Sequence, residues 1–234
     1  MPVLLLAHGD PQAKDMLRKA IEARYGLRPP ALDSLKIEFK GRARAKIGPV
    51  NTWVPVEATA YFRFPTAMRW DFNVKPLGLS VQRGIEAFDG TAYRTSRGGK
   101  KPTEVSDAEQ VSSLRRRLWA MAAIMLTPLG DHFVKLTLNG DQSFNATNTQ
   151  LHDAASIYLR PNNTLDYVAV ECLNPDNRQQ KFIMRLSDDQ HSVNDLILPS
   201  KISAFWENDP FFEVEPVTVE SNPTIADSVF TLEE

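Results

Sequence analysis

The chain has 234 residues with 42% hydrophobic and 24% charged side chains, enough apolar surface to build a sizeable core and too much for a disordered segment. A formal net charge of −2 gives no global attraction to nucleic acid or to an anionic membrane surface. The single cysteine, Cys172, excludes an internal disulfide and a cysteine-built zinc site, and its context "YVAVEC" reads as a buried strand thiol. No run of eighteen apolar residues occurs, so no helical membrane span is expected.

In chain order, "MPVLLLAHGD" is too short for a complete signal peptide. It reads either as the stub of a signal that starts upstream or as an ordered N-terminal segment. A helix is expected over about 11–25: Asp10 suits the N-cap, Pro11 the first turn, and Gly26 the left-handed end. Ala13, Met16, Leu17, Ala20 and Ile21 make its apolar stripe. "LKIEFKG" then alternates as a strand, and "VPVEATAYFRF" puts Val54, Val56, Ala58, Ala60, Phe62 and Phe64 on one side, with Pro55 pointing to a strand start or an edge.

The stretch "FRFPTAMRWDFNV" carries the functional question. From Met68 to Val74 large apolar residues alternate with Arg69, Asp71 and Asn73, so the strand has one dry and one wet face. "LGLSVQRGIEAFDG" follows and turns at Asp89-Gly90 into "TAYRTS". A second helix is expected over about 107–127, opened by a Ser106/Glu109 capping box and striped by Val111, Leu114, Leu118, Met121 and Met125. Its second half, "WAMAAIML", is apolar almost all round and must be enclosed, whereas Arg115, Arg116 and Arg117 are expected to face solvent. The remainder reads as strands: "HFVKLTL", "ASIYLR", "LDYVAVEC", "QKFIMRLS", "ILPSKISAFW", "FFEVEPVTVE" and "SVFTL", with "RPNNT" as hairpin chemistry.

The pattern implies one domain over 1–234: a mainly β (α+β) antiparallel sheet, curved, with two helices on its concave side. About ten strands at about 4.8 Å each make a sheet on the order of 48 Å wide. Two helices, each about 10–12 Å across, cover about half of it. The rest is either filled by core side chains or left as a cavity.

The helix before "SLKIEFKG", the Pro before "MRWDF", the "FDGTAYR" hairpin, the helix after it and the late "ILPSKI" strand resemble the bacterial periplasmic lipoprotein-carrier superfamily, with its LolA/LolB-like half-barrel. The likeness runs from about Ala13 to Phe230, and it departs from the family in having no lipobox cysteine at the N-terminus. The resemblance implies cavity-lining roles for Phe62, Phe64, Met68, Trp70 and Phe72, joined by Leu118, Met121 and Met125 of the second helix, and makes Arg69 a family-like strand arginine. Arg94, Arg97, Lys100 and Lys101 are candidates for an anionic head group at the rim. The expectation is a non-enzymatic carrier or sensor of a lipid or lipoprotein acyl chain, outside the cytoplasm if a signal lies upstream, with no cofactor, no metal and no nucleic-acid partner.

Two other readings stay open. One is a filled half-barrel that works as a structural or protein-interaction module. The other is a hydrolase on a hydrophobic substrate, which would need His132, Asp131 and a serine gathered at the cavity mouth. No G-x-S-x-G, H-E-x-x-H, P-loop or G-x-G-x-x-G motif occurs, and "SRGGK" reads as a hairpin loop.

Overall fold

In the computed structural model residues 5–47, 49–75, 82–194 and 196–233 are described. The first part of the "LGLSV" strand reading lies outside them. Helix α1 spans Pro11–Tyr25, and the Asp10 carboxylate accepts from the Gln12 and Ala13 amides, as the N-cap chemistry requires. Before it, a two-residue strand β1 (His8–Gly9) pairs in parallel with β8 (Val134–Gly140), and the Leu6 and Ala7 amides donate to Gly130 O. Residues 5–9 are thus an ordered segment.

The first half of the chain builds β2 (Ser34–Ile47), β3 (Val50–Arg63), β4 (Ala67–Val74), β5 (Gln82–Phe88), β6 (Tyr93–Arg97) and β7 (Thr103–Glu104). The second half adds β9 (Ser143–Asn148), β10 (Asp153–Leu159), β11 (Leu165–Leu173), β12 (Gln179–Leu186), β15 (Ile202–Trp206) and β16 (Asp209–Ser221). Among the described residues these form one fourteen-stranded sheet in the order β1-β8-β9-β10-β11-β12-β15-β16-β2-β3-β4-β5-β6-β7. Each half is a meander, and the pairing of β16 with β2 joins them. The sheet is curved and antiparallel apart from β1–β8, and does not close into a barrel.

Helix α2 spans Ala108–Ala123 and is followed by a 3₁₀ turn over Thr127–Gly130, so Pro128 begins the turn rather than ending a helix at 127. Its N-cap is Asp107, whose carboxylate accepts from the Gln110 amide, and not Ser106. Both residues are good caps; the chain takes the one whose carboxylate also favours the positive end of the helix. Leu118, Trp119, Ala120, Ala122 and Ala123 are buried, as an all-round apolar segment requires. Tyr25 Oη donates to Met125 O (3.0 Å), and the buried Arg24 guanidinium donates to Ile124 O, so the end of α1 is bonded to the end of α2. The two helices lie on the concave side, α1 against β8 and β9 and α2 mainly against β10 and β11, and α2 also reaches the first half of the sheet at β4.

Three expectations change at the element scale. "SFNATN" is strand β9, although its polar composition hides it. "ILPSKISAFW" is two strands, β14 (Leu196–Pro199) and β15, and β14 pairs with β13 (Gln190–Val193) as a separate hairpin. Pro199 cannot donate to a longer ladder, and the chain turns at Ser200, whose amide donates to Asp189 O. "SVFTL" is not a strand but helix α3 (Asp227–Thr231). Asn222, at φ 54°, turns the chain off the sheet, and Phe230 is then buried on the convex side against β4 and β5. Pro55 lies inside β3, and its carbonyl accepts from the Lys75 amide just past the end of β4. Its missing N–H points to the same flank, so the position is an edge only locally.

Candidate functional site

Direct cross-strand pairing fixes which side chains share the concave face. Ala58, Phe72, Gly84 and Arg97 form one row across β3–β6; Ala60, Trp70, Glu86 and Thr95 form the next; Phe62, Met68, Phe88 and Tyr93 the third. A Cβ placed on Gly84 would lie 2.1 Å from Phe72 Cζ, so the glycine makes room for the ring.

Between this face and α2 lies an open cavity of about 460 Å³. Its body is apolar, with Val56, Trp70, Phe72, Leu118, Met121 and Phe212 on the wall. Adjoining it is a smaller apolar pocket of about 20 Å³, and Trp70, Met121, Phe212 and Val214 line both spaces. The β13–β14 hairpin contributes Leu198 and Pro199 to that inner pocket. An aromatic chain runs along the wall: Phe39–Trp70 centroids are 5.7 Å apart, Trp70–Phe212 6.2 Å, Phe211–Phe212 5.5 Å and Phe182–Trp206 4.9 Å.

The eight cavity candidates divide. Trp70, Phe72, Leu118 and Met121 line the open cavity; Phe62 and Met125, with Trp70 and Met121 again, line the inner pocket. Phe64 and Met68 line neither: Phe64 stacks on Phe62 at 5.9 Å, and Met68 is buried in the core. Of the four rim cations only Arg97 lines the cavity. Arg94 is opposite Ala87 on the other face, bonded to Asp89 (2.6 Å) and facing Glu104 (3.5 Å). Lys100 and Lys101 are exposed in the loop after β6. Arg69 is outward, yet it is not an ordinary exposed charge: it is bidentate to Asp71 and donates to Val229 O (2.7 Å) of α3.

Arg115 and Arg117 of α2 turn away from solvent, contrary to the expectation, whereas Arg116 stays part-exposed. Arg115 is bidentate to the buried Asp153 of β10 and also donates to Leu151 O (2.9 Å); Arg116 donates to Glu171 O (3.0 Å). Arg117 faces the cavity and pairs with Glu86 at 3.2 Å. The reason is helical phase. Arg117 is three residues after Leu114 and four before Met121, so it belongs to the inward stripe. Burial is the largest single influence and pulls the Arg117 guanidinium pKa down, but the Glu86 carboxylate, Tyr93 and Cys172 together outweigh it and hold the group above its ordinary value. Tyr93, buried beside them, is pushed well above the usual phenol range, by enclosure first and by Glu86 second. Glu86 and Arg117 are the site residues that the strand and stripe reading passed over; alternation through Gly84, Glu86 and Phe88 was the available signal for Glu86.

Among the described residues the histidines do not line this space. His132 Nδ1 is 2.6 Å from Asp131 Oδ1, but the imidazole is exposed and neither residue lines the cavity. His191 meets Ser200 Oγ at 3.2 Å on the β13–β14 hairpin, also exposed. Cys172 is fully buried and its thiol is pushed up to about 11 by that burial, which makes it a poor nucleophile. Among the described residues no three His, Cys, Asp or Glu side chains gather as metal ligands, and no helix is long and apolar enough to cross a membrane.

No family model and no curated protein matches the sequence. Solved structures do match the fold. A LolA superfamily protein from Nitrosomonas europaea superposes with a TM-score of 0.51 at 10% identity, covering 93% of this chain and 96% of the other. A DUF1329 family protein from Desulfovibrio piger gives 0.50 at 8% identity, over 94% and 95% of the two chains. The curved sheet with helices on its concave side is therefore a LolA-like fold.

Proposed function

We propose that the protein is a non-enzymatic carrier or sensor that holds a hydrophobic ligand, a lipid or the acyl chain of a lipoprotein, in the cavity between α2 and β2–β6. The observation that carries this reading is the open space of about 460 Å³ with an apolar body. Small-molecule sites occupy about 300–1,000 Å³ and are mainly apolar, and a packed half-barrel would have offered less. Binding would draw on burial of apolar surface, at about 25 cal/mol per Å². On this reading Trp70, Phe72, Leu118 and Met121 contact the ligand first, and Phe62 and Met125 stand behind them. The LolA-like fold fits such a role and an extracytoplasmic location, the setting in which a carrier of acyl chains is needed.

The test is native mass spectrometry of gently purified protein, with extraction and identification of bound lipid. A stoichiometric acyl ligand supports the carrier reading. A clean apo mass with no uptake of offered lipids sinks it and favours a module that works through its surface. Phe72→Asp sharpens the result, because the ring is half-buried at the cavity wall and not in the fully enclosed core. A folded variant that no longer takes up a lipid probe is expected; outright unfolding would mark Phe72 as ordinary core.

A further inference from the structure

The charges around the cavity run against those of the whole chain. The chain carries a formal −2, yet among the described residues the charged side chains facing this space are Arg97 and Arg117 against Glu86. Pairing does not neutralise them. Glu86 is 3.2 Å from Arg117 and 4.0 Å from Arg97, and the Arg97 side chain is 78% exposed, so that second contact is a weak, solvent-screened one. Arg44 is not a third cation of this site: it pairs with Trp53 on the other face of the sheet, its guanidinium 5.5 Å from that ring centroid. Arg117 Nε is enclosed and has no acceptor among the described residues.

An occupant that fills the cavity strips water from these guanidinium groups. Losing that water without gaining an acceptor is costly, and one carboxylate does not satisfy two guanidinium groups. The apolar body and the cationic lining together call for a ligand with both characters. Gln110, Asn174 and Asn177 add neutral donors to the same wall.

We infer that the ligand is an acyl amphiphile with an anionic head group, a carboxylate or a phosphate, seated between Arg97 and Arg117 with its tail on Trp70, Phe72 and Met121. This rests on the carrier reading above and gives it a ligand class. Charge-assisted hydrogen bonds to guanidinium are about twice as strong as neutral ones, and they give the site its preference.

The experiment uses delipidated full-length protein and titration calorimetry with three probes below their micelle concentrations: palmitate, palmitoyl lysophosphatidate and neutral monopalmitoylglycerol. At least one anionic probe should bind about tenfold more tightly than the neutral one, and the advantage should shrink with added salt. Which of the two does so separates carboxylate from phosphate recognition. In Arg97→Gln, and further in Arg97→Gln/Arg117→Gln, the anionic-over-neutral ratio should fall about fivefold or more. Lys135→Gln, an exposed β8 substitution away from the cavity, should leave the ratio alone. Circular dichroism confirms that the double variant is folded. Equal affinity for charged and neutral probes would overturn the head-group inference and leave the carrier reading standing. So would a ratio untouched by the double substitution. No binding of any probe would overturn both.

Discussion

Gly84 and Asp89 show how single residues set the cavity and its support. The missing side chain of Gly84 is the space that the Phe72 ring occupies, so Gly84→Ala is expected to tilt the ring into the cavity. The strain should be modest, about 1–2 kcal/mol by denaturant melting, because the ring edge can move into open space. Lipid-probe uptake should fall, and Phe72→Ala in the same chain should restore it. Asp89 holds the β5–β6 hairpin, accepting from the Thr91 and Ala92 amides at 2.8 Å and from Arg94 at 2.6 Å. Burial by itself would raise its carboxyl pKa, but the Ala92 amide, Arg94 and the Thr91 amide outweigh that and hold it below the ordinary 3.8. A carboxyl depressed on folding contributes stability above its unfolded value and loses it as pH falls through the folded one. Asp89→Asn should therefore be less stable than the parent at pH 7 by about 1–2 kcal/mol, with the gap closing below about pH 4. A gap that stayed constant down to pH 2 would show that ionisation is not what Asp89 contributes.

At the scale of elements, helix and strand types were largely legible because periodicity reports on faces. The alternation from Val54 to Phe62 and the helical stripe of α1 survive in the folded chain as buried rows. Details that depend on competition between neighbours were not. Ser106 and Asp107 are adjacent and chemically equivalent at the level of pattern, and only backbone geometry chose Asp107 as the cap of α2. Asp107→Ala should lower the melting stability by about 1 kcal/mol, whereas Ser106→Ala should stay within about 0.5 kcal/mol of the parent. Equal losses would reinstate the capping box. The arginines of α2 carry a similar lesson. Three consecutive cations looked like a solvated face, but a helix turns 100° per residue, so three in a row cannot all point the same way. One reaches Asp153, one the Glu171 carbonyl, and one the cavity.

For the whole molecule, strands from both halves of the chain share one sheet, and the β16–β2 pairing closes the circuit between the first and last long strands. A ligand in the cavity would touch β4 and β6 from the first half, β16 from the second, and α2 between them. Occupancy is therefore expected to stabilise the whole fold. At a ligand concentration of about one hundred times its dissociation constant, linkage gives about 2.7 kcal/mol. For a chain of this size that corresponds to a rise of roughly 5–10 °C in Tm. Differential scanning calorimetry with and without palmitate checks it, and an unchanged Tm under saturating lipid would argue against binding in this cavity.

The sequence by itself determined the class of fold: alternating strands with polar turns, two helices, and a sheet too wide for those helices to cover. It also placed Trp70, Phe72, Leu118 and Met121 on inward faces, because a period of two or of 3.6 fixes a side chain's direction without knowledge of its neighbours. Only the tertiary structure decided which inward residues meet empty space. Met68 and Phe72 share one strand and one face, yet Met68 is closed in the core while Phe72 borders the cavity. The difference comes from where α2 passes over the sheet, touching β4 as well as β10–β12, and that is set by packing between residues far apart in the chain. The pairing of Glu86 with Arg117, 31 residues apart, has the same origin. Local pattern says which way a charge points, and distant packing says what stands opposite it.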